Sequence, residues 1–458
     1  MSAEFGFLKN ACRKLGEAYE TKISVHKPQR KESGKYYTPD YIVDFIVDET
    51  IGPLIEEYER NGQDLLSIRI LDPAMGCGYF LAAAAEYLAN AIWSKNPDKD
   101  RESVIAEVLE NCIFGIDIDE DAVFIASEVL QGATLINANA LTDYCSLNLD
   151  RFDAVIGNPP YLFGENIPGK EVLKTQFSFA KGQFDVYWLF YEMAIKHYLK
   201  DGGRHGYIVP DAILARDETS IIRKELTNNH CLCVIMHSGE VFSDPMVSTA
   251  VIIWQKKKVV DNEIDIYELK GNNAIAAGKF KQRIITNLPK CRWLINTDES
   301  FLEELNDIYE KSTLLGEIVK ISRGEEIGKS DLVPLGTPNS VPVLSGIDIK
   351  NGKEPNPSKA IPANLIKKDL SKYKSPKIVF VKTGKSIVAS VDYSNSPTLQ
   401  SVYNIHITDP QYSPEYICSI LNSDLLNKIA QTIFTDYKKT FPQFNQSTIK
   451  ELPLPNKK

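Results

Sequence analysis

Phe152-Asp153-Ala154-Val155-Ile156-Gly157 runs directly into Asn158-Pro159-Pro160-Tyr161, and the reading of this junction decides the fold. The first stretch is apolar at nearly every position, as a strand buried on both faces of a parallel sheet is. The tetrapeptide therefore stands at a strand's carboxyl end, where open α/β sheets bind their ligands. Its chemistry suits a planar amino nitrogen, a poor nucleophile because its lone pair delocalises into the ring. Two acceptors, the Asn158 side-chain oxygen and the Pro159 carbonyl, would each take one N–H and free that lone pair for in-line attack. The prolines fix φ, hold the preceding residue extended, and leave Pro160 without a competing N–H. Tyr161 supplies a flat face for a base to stack on. A plain Pro-Pro turn with a surface tyrosine is the alternative, and the strand in front of it argues against that.

On either side of this junction, from 68 to 254, apolar strands alternate with helices. The strands are Ile68–Leu71, Ile113–Ile116, Thr134–Ile136, Ala154–Ile156, Gly206–Val209, Cys233–Met236 and Thr249–Trp254; the helices include 79–93, 120–130 and 186–199. Repeated βα units predict an α/β fold with a mostly parallel, doubly wound sheet, its last two strands a hairpin at one edge. Ahead of it, Thr38-Pro39-Asp40 opens a helix, with Thr38 as cap, Pro39 in the first turn and Asp40 complementing the dipole. Residues 1–35 read as a polar, partly helical extension with a basic stretch from Lys27 to Lys35. Residues 259–311 read as a linker holding a strand and a short helix at 299–311. From 312 to 458 prolines, glycines and short β runs (Val341–Leu344, Lys377–Val381, Ser386–Val391) and one helix, Pro414–Thr432, predict a second domain.

Three further strand ends carry candidate ligand groups. Leu71-Asp72-Pro73-Ala74-Met75-Gly76-Cys77-Gly78-Tyr79-Phe80 joins the first strand to its helix. Its glycines Gly76 and Gly78 let backbone approach a ligand, and the helix N-terminus favours an anionic group. The dinucleotide fingerprint wants a third glycine where Leu81 stands, so a smaller ligand with an amino-acid end fits better. Asp72 would take its ammonium and the loop amides its carboxylate. Asp117, ending the second strand, is placed for ribose hydroxyls; an acid there can equally cap the next helix. Asn139, in Asn137-Ala138-Asn139-Ala140 after the third strand, would pair with an adenine edge. Amino acid, ribose and base together describe S-adenosylmethionine. Phe242, between the last two strands, would close the other face of a base, although an aromatic there also serves as core.

The bulk numbers agree with a soluble two-domain chain: 458 residues, 43% hydrophobic, 25% charged, and no apolar run long enough to span a bilayer. Residues 1–20 carry Glu4, Lys9, Arg13, Lys14 and Glu17, which a secretory leader would lack. Eight cysteines are scattered and no HExxH occurs, so reduced cysteines acting as small hydrophobes, and no metal, are expected. The net charge of −9 conceals an asymmetry: 311–458 hold 20 basic and 13 acidic residues, net +7, leaving −16 on 1–310. A basic C-terminal part suggests a polyanionic partner. Lys372, Lys374, Lys377, Lys382 and Lys385 are the phosphate-contact candidates, against the reading of a merely solvated basic face.

Taken in order, Thr38-Pro39, the Asp-Pro glycine loop and Asn158-Pro159-Pro160-Tyr161 resemble the adenine-N6 DNA methyltransferases of the Taq type (gamma order). The stretches Val341-Pro342-Val343-Leu344-Ser345-Gly346 and Phe441-Pro442-Gln443-Phe444 look like target-recognition domains of modification enzymes. The resemblance covers about 36–256 of a catalytic domain placed at 36–258 and, more loosely, the recognition domain at 312–458. It implies a Rossmann-like S-adenosylmethionine-dependent sheet with helices on both faces, plus a C-terminal α+β recognition domain. It implies that Thr38, Asp72, Ala74, Asp117, Ile118 and Asn139 (with Gly76, Gly78, Ala140 and Asn158 beside them) hold the cofactor. Asn158, Pro159, Pro160 and Tyr161 would hold a flipped adenine, with Phe242 packing on it. Asn139 stands where the family usually has Asp, and keeps an acceptor oxygen. The expected enzyme is a cytoplasmic, nucleoid-associated prokaryotic monomer acting on double-stranded DNA. It would be an orphan methylase or the partner of a separate restriction endonuclease, since no segment looks large enough for a fused nuclease. RNA adenine methylation and glutamine methylation of proteins use a similar tetrapeptide and stand as alternatives.

Overall fold

A computed structural model of the chain describes residues 6–26, 38–242, 247–434 and 444–455. By internal packing it divides into two units, 1–286 with 290–295, and 287–289 with 296–458.

The first unit is built on nine strands: β1 (Ile70–Asp72), β2 (Ile113–Asp117), β3 (Thr134–Asn137), β4 (Phe152–Gly157), β5 (Leu199–Pro210), β6 (Cys231–Glu240), β7 (Ser248–Gln255), β8 (Glu263–Lys270) and β9 (Asn273–Lys281). They form one sheet in the order β3-β2-β1-β4-β5-β7-β6-β8-β9. From β3 to β5 every pairing is parallel. All six residues of β4 are buried, so both faces of the sheet are covered at its centre. β7 runs antiparallel to both of its neighbours, β5 and β6. The expected edge hairpin is therefore an interior feature, because β8 and β9 extend the sheet beyond β6. These two strands also correct the expected linker over 259–311. Residues 263–281 complete the first unit's sheet, and the helix at Glu299–Glu310 belongs to the second unit. β8 is a half-buried strand of alternating burial, with Ile264 and Ile266 inside, a weaker signal than the continuous apolar runs of the parallel strands.

The N-terminal extension is packed structure. Helix α1 (Phe7–His26) buries Leu8 and Cys12, and the Leu8 N–H donates to the buried Glu86 carboxylate at 2.7 Å. The basic stretch Lys27 to Lys35 lies outside the described residues. Helix α2 (Asp40–Arg60) has Pro39 at its cap position and no side-chain cap, which corrects Thr38 as its cap. Asp40 instead accepts from Arg13 of α1 (3.1 Å) and from the Tyr79 hydroxyl (2.6 Å). Helix α3 (Tyr79–Lys95) follows the glycine loop, with Ala82–Ala85 buried against α2 and the sheet. Helices α4 (Arg101–Cys112) and α5 (Glu120–Val129) start at Asp100 and Asp119, whose carboxylates accept from Ser103 and Asp121 N–H. Helix α6 (Val186–Met193) is buried all round and ends earlier than expected in a π turn over Ala194–Tyr198. The Arg151 guanidinium donates to the carbonyls of Lys196 and Leu199 there, satisfying two acceptors where the chain passes into β5.

The second unit holds the antiparallel sheet β11-β16-β14-β15, made of β11 (Val319–Arg323), β14 (Lys377–Val381), β15 (Ala389–Asp392) and β16 (Val402–Ile407). Beside it are two pairs, β10 (Ser312–Leu314) with β17 (Pro453–Pro455), and β12 (Ser340–Val343) with β13 (Lys359–Pro362). Helix α7 (Glu299–Glu310) buries Phe301, Leu302 and Leu305. The single helix expected over Pro414–Thr432 is two, α8 (Pro414–Leu421) and α9 (Asp424–Phe434). Asn422 breaks it, bonding both the N–H and the carbonyl of Ala389 and so satisfying part of the outer edge of β15. Phe444 packs edge-on against Phe380 at 5.6 Å; residues 441–443 lie outside the described chain. Among the described residues no helix is long and apolar enough to cross a membrane.

Candidate active site

The order of strands reverses between β1 and β4: from β1 the chain builds β2 and β3 on one side, and from β4 it builds β5 on the other. The crevice at such a switch point is where a doubly wound sheet takes its ligand. β1 ends in Asp72, and β4 ends in Gly157 with Asn158 next, in adjacent register (Ile70↔Ala154, Leu71↔Val155). Gly157 has φ +144°, and a Cβ there would lie 2.6 Å from Asp72 Oδ1. Only glycine lets the two strand ends come this close.

Asp72 is buried, its carboxyl pushed up to about 8 by burial and, secondarily, by the charge of Asp117, while the Ala74 N–H holds it back. A cation beside it would relieve that cost, which suits the ammonium expected there. Four of the loop amides expected for a carboxylate already have partners within the protein. Ala74 N–H donates to Asp72 (3.0 Å), Gly76 N–H to Asp117 (2.8 Å), Met75 N–H to the Ile116 carbonyl and Gly78 N–H to the Met75 carbonyl. Two acids flanking the loop hold it closed on itself. Gly76, at φ +52°, has nothing within 4 Å of where a Cβ would stand, so its Cα faces open space. Gly78 is packed instead, a Cβ there meeting Leu130 at 2.8 Å, which is a structural reason for glycine.

Asp117 is nearly buried and accepts from Gly76 and Asp119 N–H; beside it Ile118 is 68% exposed. An acid with an uncovered aliphatic surface next to it, at a strand end, can meet a ribose and the face of a base. Asn139 is half-buried, and its oxygen accepts from Leu141 N–H at 3.0 Å. One lone pair expected for the base edge is thus committed to a turn. Ala140 is buried and its carbonyl accepts from the Tyr198 hydroxyl, so it supports that turn from below.

Beyond Asn158 and the two prolines, the Tyr161 hydroxyl donates to the Ile208 carbonyl at 3.0 Å. Its ring meets Tyr187 at 6.2 Å and Phe242 at 6.4 Å, both edge-on. Phe242 is 5% exposed and its plane lies 68° from that of Tyr161. That geometry sets Phe242 edge-on to Tyr161 rather than parallel to it, so that it buttresses the tyrosine and would meet a stacked base with its edge. The backbone after Tyr161 is laced to the start of α6. Asp185 accepts Leu162 N–H at 2.9 Å, Val186 N–H reaches the Leu162 carbonyl, and Phe163 bridges Asp185. Asp185 was not singled out from sequence, although an acid just before an apolar helical run was a cap signal. Burial raises its carboxyl to about 7 despite the backbone N–H groups it accepts. Asn158 Nδ2 donates to Thr38 Oγ1 at 3.1 Å, a contact between residues 120 positions apart.

In the second unit Lys372, Lys374 and Lys385 are exposed and Lys382 is half-buried. Lys377 is fully buried, paired with Asp392 and donating to the Tyr373 carbonyl at 2.9 Å. It is removed from the phosphate-contact candidates, because it opens β14, whose first four residues are all buried, and faces Asp392 on β15.

Comparison with known proteins agrees with this geometry. The family model described as N-6 DNA Methylase matches residues 11–301, and the one described as TaqI-like C-terminal specificity domain matches 341–454. The chain is 30% identical over 196 residues to the "Type II restriction enzyme and methyltransferase RM.Eco57I" of Escherichia coli, across 40% of this chain and 18% of that protein. It is 25% identical over 333 residues to a type II methyltransferase of Thermus thermophilus, across 67% of this chain and 73% of that protein. The fold matches a nuclease-deletion mutant of the Type ISP restriction-modification enzyme LlaGI with TM-score 0.53 at 14% identity, across 91% of this chain and 46% of that one. The chain thus spans under a fifth of the first relative and most of the second. With the family model covering more than half its length, the chain belongs to the N-6 DNA methylase family.

Proposed function

We propose that this protein methylates the exocyclic N6 of an adenine in duplex DNA, as the modification enzyme of a restriction–modification system or as an orphan methylase. The observation that carries the proposal is the close approach of Asp72 to Gly157 at the switch point, which sets Asp72 beside the strand end that leads into Asn158. S-adenosylmethionine, when bound, supplies an electrophilic methyl carbon. The residues present suit it: buried Asp72 for an ammonium, Asp117 for ribose hydroxyls, uncovered Ile118 for a base face and Asn139 beside it. The Asn158 oxygen and the Pro159 carbonyl each accept one N–H of the adenine amino group, so the nitrogen lone pair is released from the ring. Transfer would break the methyl–sulfur bond of the sulfonium, which leaves as a neutral thioether, and the nitrogen would give up one proton to solvent. Tyr161, its hydroxyl tied to Ile208 and its ring propped by Tyr187 and Phe242, receives the extruded base by stacking. The second unit reads the duplex, with Lys372, Lys374, Lys382 and Lys385 on phosphates.

Incubation with methyl-labelled S-adenosylmethionine and a mixture of DNA, RNA and protein, followed by nucleoside analysis, tests this. Label should appear as N6-methyladenine in DNA alone. Asn158→Ala should cut transfer by about 100-fold or more while cofactor and DNA affinity stay within a few-fold. Label in RNA or in a glutamine amide would overturn the substrate.

A further inference from the structure

We propose that Leu370 is a DNA-groove contact, carried by a preformed loop, residues 367–374, whose lysines hold phosphates on either side of it. This rests on the DNA-reading role given to the second unit above. Lys367, Ser371, Lys372 and Lys374 are exposed, and Leu370 keeps 66% of its surface in solvent. A lone exposed leucine is ordinary on a protein surface. This one differs in what flanks it and in how it is held. Asp369, the one acid of the loop, caps the short turn Leu370–Tyr373 by accepting Ser371 N–H at 2.8 Å. Lysines therefore stand in excess around Leu370. A phosphate backbone drawn to them brings Leu370 against the groove. Between the phosphates a duplex offers sugars and bases, the surfaces an apolar side chain prefers to water.

The loop is fixed from within. Glu325 is 2% exposed and accepts from Lys368 N–H (3.0 Å), Lys367 N–H (3.3 Å) and the Tyr373 hydroxyl (2.8 Å). Lys368 turns its ammonium inward, onto the carbonyls of Arg323 (3.1 Å) and Gly324. At the other end the buried Lys377 donates to the Tyr373 carbonyl, and His406 Nε2 donates to the Lys372 carbonyl at 3.0 Å. Glu325 is itself anchored: its N–H reaches the Thr398 carbonyl (2.7 Å) and its own carbonyl accepts Gln400 N–H (2.8 Å). A Cβ on Gly324 would stand 2.3 Å from the carbonyls of Leu399 and Thr398, so glycine there lets the end of β11 press onto that segment. Burying a carboxylate and an ammonium is costly, and both Glu325 and Lys377 are turned onto this one loop. A loop ordered before binding has little freedom left to lose on DNA. The place of Leu370 is thus set in the free protein.

The test measures duplex affinity of the full chain over a salt series for the parent, Leu370→Ala and Lys367→Gln. Both side chains are exposed, so thermal midpoints should not move. Leu370→Ala should weaken binding about tenfold at every salt concentration. It should leave the slope of log affinity against log salt unchanged, because an apolar contact releases no counterion. Lys367→Gln should instead lower that slope by about 0.9. In the free parent the Lys367 and Lys368 amides should exchange slowly, as bonds to a buried carboxylate require. Parent-like affinity in Leu370→Ala would overturn the groove contact, as would a changed slope in that variant, and fast exchange at both amides would overturn the preformed loop. If the parent methylates duplex DNA while Leu370→Ala binds it as tightly, this inference alone fails. A parent that neither binds nor methylates duplex DNA would refute it together with the proposed function.

Discussion

Asp72 is the residue whose titration ligand binding should report. Its carboxyl, held up at about 8 mainly by burial, is protonated in the ligand-free fold through a pH range where the unfolded chain, near the usual value of about 4, has already lost its proton. The folded state therefore holds the extra proton, and stability of the ligand-free protein should fall as pH rises from about 4 to about 8. An ammonium partner needs the carboxylate, so cofactor affinity should rise over the upper part of that window. Calorimetric titration of S-adenosylmethionine between pH 6 and 9 should show affinity increasing toward pH 8, and Asp72→Asn should flatten the dependence. A parent protein with the same Kd across that range would exclude Asp72 as the ammonium site. The neighbouring acids do different work. Asp117 braces Gly76, and Asp185 laces the chain after Tyr161 to α6.

At the scale of elements, the lysines around β14 separate into structural and surface groups. Lys377 and Asp392 form a buried pair across β14 and β15. Removing one partner strands the other charge, so Lys377→Ala should cost about 3–5 kcal/mol in denaturant unfolding. Replacing the exposed Lys372, Lys374 and Lys385 by Gln should leave stability alone. It should reduce the slope of log affinity for duplex DNA against log salt by about 0.9 for each phosphate that is no longer neutralised. A stable Lys377→Ala protein, or an unaltered salt slope in the triple variant, would contradict this division. Sequence pattern could not make the distinction: Lys372, Lys374 and Lys377 look alike in a basic run, and only the pairing of β14 with β15 sets Lys377 against Asp392 in the interior. The central strand β4 is legible in the sequence, whereas the half-buried β8 and largely exposed β9 read together as one strand within a linker. Continuous apolar runs mark strands buried on both faces, whereas half-covered strands alternate weakly and resemble connecting segments.

At the scale of the whole molecule, the position of the boundary is a testable matter. A fragment ending at 258, where the composition changes, loses β8 and β9 and uncovers the edge of β6. It should aggregate, while a fragment ending at 295 should run as a single species on size exclusion with a cooperative thermal transition. Likewise 296–458 should unfold more cooperatively than 312–458, which lacks the amphipathic helix α7. If 1–258 proved the better behaved of the first pair, the β6–β8 pairing would not be integral to the unit.

Residue types and local pattern point to the proposed chemistry and to the strand ends that would bear it. Hydrophobic runs dictate buried strands, strand ends in a doubly wound sheet are ligand positions, and Asn158, Pro159, Pro160, Tyr161 and Asp72 declare their donors, acceptors and stacking faces through their residue types alone. Long-range proximity is what local pattern does not encode. Tertiary contacts alone show that the Ala74 and Gly76 amides go to Asp72 and Asp117, that Phe242 supports Tyr161 edge-on, and that Lys377 is buried. They also show that Thr38 reaches across 120 residues to meet Asn158. Each of these is a hydrogen bond or packing contact whose partner is chosen by the closing of the fold.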